Sequence, residues 1–304
     1  MLDYKEFKNE MLPRLKRALD EEHMEVAEAS IPKVNRKVEA LVVKEKKKET
    51  GESIGQIHDL AKLYEYYQNG AGVQELLALI LHSLEQKKAK QEKLQILLCF
   101  EDCKDRILAQ VIDKESNAEF LEGAVYRQIL DLALVYRVEL GIDEKEAVSA
   151  VITENLLEHW GISEEVLYQT AWENARNTAP YKVQNLLEIV SGIKEHTEPA
   201  AGEPKQNKNE FRVYVLSREE GHYGASAIAY PQAMQQVFAV FGEDFFLLPS
   251  SQQELIAVPF DKMEIENLKA IVRKVNHTEV FAEDWLSDSV YYYDHEAGEV
   301  KLAA

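Results

Sequence analysis

The change in hydrophobic period near residue 129 is the feature that most constrains this fold. Upstream of it, apolar residues such as Phe7, Met11 and Leu15 recur at helical spacing. Downstream, apolar runs of strand length, beginning with Leu132–Leu140, are separated by turn residues. Such a separation of helical and strand patterns is typical of an α+β protein. We therefore predict a helical N-terminal region followed by a mostly antiparallel sheet with helices packed on it.

The chain length also predicts more than one folding unit. With 304 residues, it corresponds to roughly two domains of about 150 residues each. Breaks in pattern suggest a mainly helical region with a short hairpin, a strand pair with two helices, a polar loop or linker, and an α+β C-terminal domain. These four stretches are residues 1–128, 129–194, 195–210 and 211–304.

In the first stretch we predict one helix, one hairpin and then further helices. The helix covers about Tyr4 to Glu28, and Pro13 predicts either a kink or a late start. Ile31–Val34 and Val38–Val43 are strand-like and close together, which favours a hairpin. Residues 54–125 have a helical pattern.

Strands dominate the prediction beyond residue 129. The run over residues 132–140 and a returning strand over 147–152 form a pair, which two helices capped by Thr153 and Ser163 follow. After the polar loop the predicted order is β-β-α-β-β-α-β. Its strands are Phe211–Ser217, Ala225–Ala229, Phe245–Leu248, Glu254–Val258 and Val290–Tyr293, with a break at Pro249–Ser251 and helices from Pro231 and over Ile265–Asn276.

Charge and composition exclude several classes of partner. Thirty-five basic and 54 acidic residues give a net charge of −19, which disfavours general nucleic-acid binding because phosphate contacts need clustered Lys and Arg. Apolar runs are far shorter than the roughly 18 residues of a membrane span. With two cysteines and a charged N-terminus, the chain is expected in the cytoplasm, with a protein as its partner and no membrane contact.

Recognisable catalytic signatures are absent from the sequence. It contains no Gly-rich phosphate loop, no Rossmann fingerprint, no His-Glu-x-x-His and no Gly-x-Ser-x-Gly. Cys99 and Cys103 have the spacing of half a metal site, but without a nearby partner pair we interpret them as buried, inert thiols. We therefore predict no catalytic residue, no metal and no cofactor.

The most unusual local stretch is Pro249–Glu254, with two hydroxyls, two amides and a carboxylate between apolar strands. Pro and Ser there are typical of a turn. A serine nucleophile would need a base such as His222 or His277 to arrive through the fold. The turn, a binding site and a catalytic site are the three alternatives.

Two further features favour binding. Tyr223 and Gly224 lie together, and glycine permits close backbone approach or a turn. Tyr291–Tyr293 alternates faces on a strand, so one face belongs to the core and the other is available for an interface. We predict a binding rim of five residues: Tyr223, Gly224, Ser250, Ser251 and Glu254.

An ordered set of motifs resembles an uncharacterised family of bacterial proteins from anaerobic gut clostridia, a domain of unknown function. The motifs are Tyr223–Ala225, Asp244–Ser251 with Glu254, and Leu286–Asp288 with Val290–Tyr291 and Tyr293–Asp294, together with the upstream stretches Phe100–Ile107 and Ile152–Ile162. The resemblance covers residues 30–295 and implies no activity. Family members often carry His where this chain has Gln253, and glutamine cannot act as a general base.

These observations favour a non-enzymatic protein-interaction or accessory protein. The alternative is a hydrolase-type enzyme or a small-ligand-binding protein that uses the 249–254 loop. A third hypothesis, nucleic-acid mimicry, needs the negative charge gathered on one face, whereas the acidic residues are spread along the sequence.

Overall fold

The computed structural model describes residues 1–19, 23–46, 55–85, 94–143, 146–177, 180–192, 212–218, 223–260 and 264–303. Contacts divide the chain into two compact units, Met1–Ile96 and Leu97–Ala304. The predicted linker over residues 195–210 lies outside the described residues. Among the described helices, none is long and apolar enough to cross a membrane.

Thirteen strands are described. They are β1 (Met24–Lys33), β2 (Arg36–Glu45), β3 (Gly55–Asp59), β4 (Ile107–Asp113), β5 (Tyr126–Ile129), β6 (Leu132–Asp143), β7 (Glu146–Val151), β8 (Tyr181–Asn185), β9 (Tyr214–Arg218), β10 (Phe245–Ser251), β11 (Glu254–Pro259), β12 (Tyr291–Asp294) and β13 (Glu299–Leu302).

The described α-helices are Tyr4–Ala18, Leu60–Gln68, Val73–Glu85, Phe100–Cys103, Ala118–Leu121, Glu154–Trp160, Glu164–Asn177, Leu186–Ser191, Pro231–Phe241 and Ile265–Thr278. Short 3₁₀ helices cover Ile96–Leu98, Lys104–Arg106 and Gly224–Ala229.

In the first unit, the three described α-helices accompany an antiparallel sheet of order β1-β2-β3. Asp3 caps the first helix and forms a reciprocal capping box with Glu6, so two backbone N–H groups are satisfied at the helix start. The helix buries Phe7, Met11 and Leu15, as its spacing predicts, in a core that the strands and the other helices complete.

In the first unit the predicted hairpin is confirmed, whereas the end of the first helix and the helical assignment of residues 55–59 are wrong. The first helix ends at Ala18 rather than near Glu28, because residues 24–33 pair along their whole length with β2. It starts at Tyr4 and continues through Pro13, so the start is not delayed. The segment Gly55–Asp59, predicted as helix, is strand β3 on the other edge of β2.

In the second unit, β4, β6, β5 and β7 form a four-stranded antiparallel sheet. The predicted pair over residues 132–152 is confirmed as β6 and β7. Helix was the wrong prediction for Ile107–Asp113, which is β4. Its short apolar run has no decisive period, and pairing with β6 determines its conformation.

A six-stranded antiparallel sheet of order β13-β12-β10-β11-β9-β8 completes the second unit. The predicted α+β class, with a mostly antiparallel sheet, is therefore confirmed. Ala225–Ala229, predicted as a strand, belongs instead to the 3₁₀ helix that begins at Gly224. Residues 249–251 continue β10 instead of breaking it. Strands β8 and β13 were not predicted.

An aromatic cluster packs between helix Glu164–Asn177 and the C-terminal elements. The Tyr230 ring lies 4.9 Å from the Trp172 ring and 5.1 Å from the Tyr168 ring, measured between centroids. Tyr181 completes the cluster, and its hydroxyl lies 2.9 Å from Ser226 Oγ. Tyr230 is fully buried, so its phenol is held in apolar surroundings.

Buried tyrosines predict a loss of stability at alkaline pH. Burial raises the pKa of Tyr181 to about 12 and raises the pKa values of Tyr230 and Tyr136 well above their ordinary value of 10. Between pH 10 and 12 the unfolded chain releases these protons while the folded chain keeps them. Stability is therefore complete below pH 10 and falls as pH rises, by about 1.4 kcal/mol per pH unit for each such tyrosine.

The measurement is urea unfolding at several pH values from 9 to about 11.5. The unfolding free energy should fall less steeply with pH in Tyr181→Phe. The expected difference in slope is about 1.4 kcal/mol per pH unit, the contribution of one buried tyrosine. Tyr126→Phe, at an exposed position, is the control and should leave the slope unchanged. An unaltered slope in Tyr181→Phe would contradict the burial of this phenol.

Candidate functional site

The fold brings the two halves of the predicted rim together. The backbone N–H of Tyr223 donates to Gln253 Oε1 at 2.9 Å, and that of Ala225 donates to the Gln252 carbonyl at 3.3 Å. Residues 223–225 therefore lie against the turn that joins β10 to β11. The rim residues are neighbours in space, as the sequence predicts.

Gly224 is required by the closeness of this approach. A Cβ at this position would lie 2.3 Å from the carbonyl oxygen of Gln253 and 2.8 Å from Cα of Ser217, both backbone atoms. The preceding Tyr223 has φ +55°, in the left-handed region that non-glycine residues seldom adopt. Gly224 is buried, so its role within the rim is to let two backbone segments pack closely.

The serines of the rim organise the turn. Ser251 pairs with Glu254, so the turn consists of Gln252 and Gln253, and Ser251 Oγ accepts a hydrogen bond from the Gln253 N–H at 3.0 Å. Ser250 Oγ donates to Glu254 Oε1 at 3.0 Å. Short polar side chains that bond nearby backbone are typical of turns.

No described histidine hydrogen-bonds to Ser250, Ser251 or Glu254. His277 is exposed on its helix, and His222 lies outside the described residues. In the described part of the chain, therefore, neither serine has the histidine base that a serine nucleophile commonly uses.

Gln252 is the residue in this loop that the rim prediction omitted. Its side chain is buried, accepts a hydrogen bond from Gln110 Nε2 on β4, and donates to the Glu283 carbonyl at 2.9 Å. Its backbone N–H donates to the Asp284 carbonyl at 2.8 Å. Gln252 thus connects the four-stranded sheet with the loop that precedes β12.

A second polar contact joins the same two sheets. Asp131, in the turn between β5 and β6, accepts hydrogen bonds from Ser289 Oγ at 2.7 Å and from the Tyr291 hydroxyl at 2.8 Å. Tyr291 is fully buried, and its hydroxyl also lies 3.1 Å from Ser287 Oγ. We call the contacts of Gln110 with Gln252 and of Asp131 with Ser289 and Tyr291 the sheet junction.

The acidic residues near the C-terminus have partners within the chain. Asp288 Oδ1 accepts from Asn276 at 2.8 Å and from the Trp285 indole at 3.2 Å. Asp294 Oδ2 accepts from Lys301 at 2.6 Å, and this hydrogen bond lowers the pKa of Asp294. The described residues contain no cluster of side chains suited to a metal ion.

The prediction of two buried thiols holds for only one of them. Cys103 is buried, and burial raises the pKa of its thiol to about 11. Cys99 is exposed, because it precedes the short helix Phe100–Cys103 instead of lying within a longer one.

Another concave site lies where β10 begins and β11 and β12 end. It is a surface groove of about 650 Å³, which we call the aromatic groove. Its ring-bearing residues are Phe238, Phe246, Phe260, Tyr292 and His295. Phe260 is 48% exposed and stacks on Phe246, with 4.9 Å between ring centroids. His295 stacks on Phe238 at 3.6 Å.

Sequence reasoning found one part of this groove. Tyr291 and Tyr293 are buried and Tyr292 points to the other face, so the alternation predicted for Tyr291–Tyr293 is confirmed. Tyr292 lines the groove. The remaining rings are far apart along the chain and have no shared motif, so only the fold brings them together.

Among the described residues, four carboxylates line the aromatic groove. Glu243 pairs with Arg212, and Asp294 pairs with Lys301. Asp244 Oδ1 accepts the backbone N–H of His295 at 3.0 Å, while Glu296 is exposed. The described residues of the lining include no Lys or Arg, so their summed charge is negative.

Comparison with known proteins identifies the family of the chain. Residues 4–295 match a family of unknown function, DUF5688. The chain belongs to the DUF5688 family. This match agrees with the predicted resemblance to an uncharacterised family, while the family motifs and the clostridial origin stay predictions. No curated protein and no solved structure matches the chain.

Replacing Gly224 tests how closely the rim segments must approach. We expect Gly224→Ala to lower the unfolding free energy by about 2 to 3 kcal/mol, because the new methyl group meets backbone atoms that cannot move aside cheaply. Gly123→Ala is the control, since a Cβ there meets nothing within 4 Å, and it should change stability by less than about 0.5 kcal/mol. Equal stability of both variants in urea unfolding would contradict the close approach.

Proposed function

We propose that this chain is a non-enzymatic protein-interaction or accessory protein that binds a protein partner through the aromatic groove. The observation that carries the proposal is the half-exposed ring of Phe260 above a floor of further rings. Aromatic side chains are enriched at protein interfaces, where they contribute large contact areas at small entropic cost.

The shape of the groove supports a protein partner over a small molecule. Small-molecule pockets bury most of their ligand's surface. This groove is an open depression across the ends of three strands, and several of its lining residues, including Phe260, His295 and Glu296, are exposed. An extended segment of another protein can lie along such a surface and cover Phe260.

The predicted rim is a second candidate surface for the same function. Tyr223, Ser250, Ser251 and Glu254 are partly exposed, while Gly224 is buried. Their hydrogen bonds within the turn reduce the number of polar groups free for a partner. We therefore place the main contact at the aromatic groove. A cytoplasmic location is part of the proposal and is supported by two free cysteines.

A hydrolase or ligand-binding role of the 249–254 loop is the alternative. The observation in its favour is the hydrogen bond from Ser250 to Glu254, which joins a hydroxyl to a carboxylate. Against it stands the absence of a histidine contact among the described residues. Hydrolysis of any substrate that is lost in Ser250→Ala, while the variant stays folded, would favour the alternative.

Site-specific photo-crosslinking tests the proposed function. A photoreactive phenylalanine analogue replaces Phe260 in the full chain, and cross-linking is carried out in lysate of the organism that carries the gene. We expect one discrete adduct, which is identified by mass spectrometry. The adducted protein is then purified and should bind the unmodified chain with defined stoichiometry, at least tenfold more weakly after Phe260→Ser.

Two matched variants make this experiment decisive. The same photoreactive residue in place of Tyr126, which is exposed but outside the groove, should give no adduct of that size. Ser250→Ala with Glu254→Gln should leave binding intact if the groove is the contact surface. If binding is insensitive to Phe260→Ser and is lost in the rim variant, the groove is the wrong surface; absence of any specific adduct contradicts the proposal.

A further inference from the structure

We infer that the aromatic groove recognises a Lys or Arg side chain within an extended basic segment of the partner protein. The inference rests on the proposed function and adds the chemistry of the partner. It follows from the charge of the groove, from the hydrogen bonds and ion pairs of each carboxylate, and from the exposure of Phe260.

The charge of the groove is only partly compensated within the chain. Glu243 and Asp294 are paired with Arg212 and Lys301. No described cation pairs with Asp244 or Glu296. A purely apolar partner segment would remove water from these two carboxylates and give nothing in return, which is unfavourable. A cationic side chain offsets that loss.

The rings supply the second half of a cation site. Phe246 covers one face of the Phe260 ring, and nearly half of the Phe260 residue remains exposed to solvent. A cation over an aromatic face is attracted by the ring's quadrupole. The chain already contains this contact at the groove, since Lys301 Nζ lies 5.9 Å from the centroid of the Tyr292 ring.

Size and position favour a peptide over a free amine. At about 650 Å³ the groove is larger than one basic side chain, so residues that flank the Lys or Arg also find room. Ile265 and Ala303 provide apolar surface beside the rings for those neighbours. The preferred occupant is therefore a segment with alternating apolar and basic residues.

NMR titration of the full chain with short peptides tests this inference. The probes are a Leu-Arg-Leu peptide with blocked termini and the same peptide with citrulline, which keeps the shape of arginine but lacks its charge. We expect the arginine peptide to bind at least tenfold more tightly than the citrulline peptide. Its affinity should fall with added salt, because salt screens exposed charges.

Two variants locate the site and one controls for net charge. Phe260→Ser and Glu296→Lys should each weaken binding of the arginine peptide at least fivefold. Glu173→Lys changes net charge by the same amount outside the groove and should leave the affinity within twofold. Thermal melting of each variant verifies that it is folded.

The outcomes separate this inference from the proposed function. Suppose that the cross-linked partner binds through Phe260 but the arginine and citrulline peptides bind equally. The groove is then a protein interface, and the inference that it recognises a cationic side chain is wrong. If free arginine amide binds as tightly as the peptide, the ligand is a small cation, and the inference of a peptide segment is wrong. If Glu173→Lys weakens binding as much as Glu296→Lys, the attraction is general and the assigned site is wrong.

Discussion

The buried side chain of Gln252 is the contact on which the arrangement of the second unit depends. It lies in a two-residue turn, yet it bonds to Gln110 on the other sheet and to a backbone carbonyl in the loop before β12. A buried amide that lost these partners would remain unsatisfied, which costs about 1 to 3 kcal/mol. Neighbouring residues help to position Gln252. Gly224 lets residues 223–225 pack against the turn, and Ser251 Oγ accepts a hydrogen bond from the Gln253 N–H within it.

This organisation divides the motif residues between the sheet junction and the aromatic groove, whose lining includes Asp244, Phe246 and Asp294. The motif segments around residues 223–225, 249–254 and 286–291 converge on the sheet junction, where their polar groups bond to one another and to β4 and Asp131. The aromatic groove lies at the opposite ends of the paired strands. The first residues of β10, near Phe246, line the groove, and its last residue, Ser251, lies at the turn beside the junction. The proposed binding function thus belongs to a surface at the other end of the strands from the junction.

Much of the fold could be predicted because the decisive signals are local. Strands β6 and β7, the cap at Thr153 and the α+β class follow from apolar period and turn chemistry. Segments 24–28, 55–59 and 107–113 are wrongly predicted as helix because their short apolar runs have no decisive period. Their partner strands determine their conformation. The rim residues are neighbours in the structure, and their binding role stays a prediction. The prediction omitted Gln252, because a glutamine in a turn gives no sign of burial. The groove combines residues 238 to 303, a juxtaposition that no local pattern contains.

A double-mutant cycle between Gln110 and Gln252 tests the central claim most directly. Unfolding free energies of Gln110→Ala, Gln252→Ala and the double variant give their coupling energy, and the exposed pair Lys114 and Gln128, joined at 2.7 Å, serves as the reference cycle. We predict a coupling of about 1 kcal/mol or more for the buried pair and less than about 0.5 kcal/mol for the exposed pair. Additive effects of Gln110→Ala and Gln252→Ala would contradict a sheet junction built on Gln252.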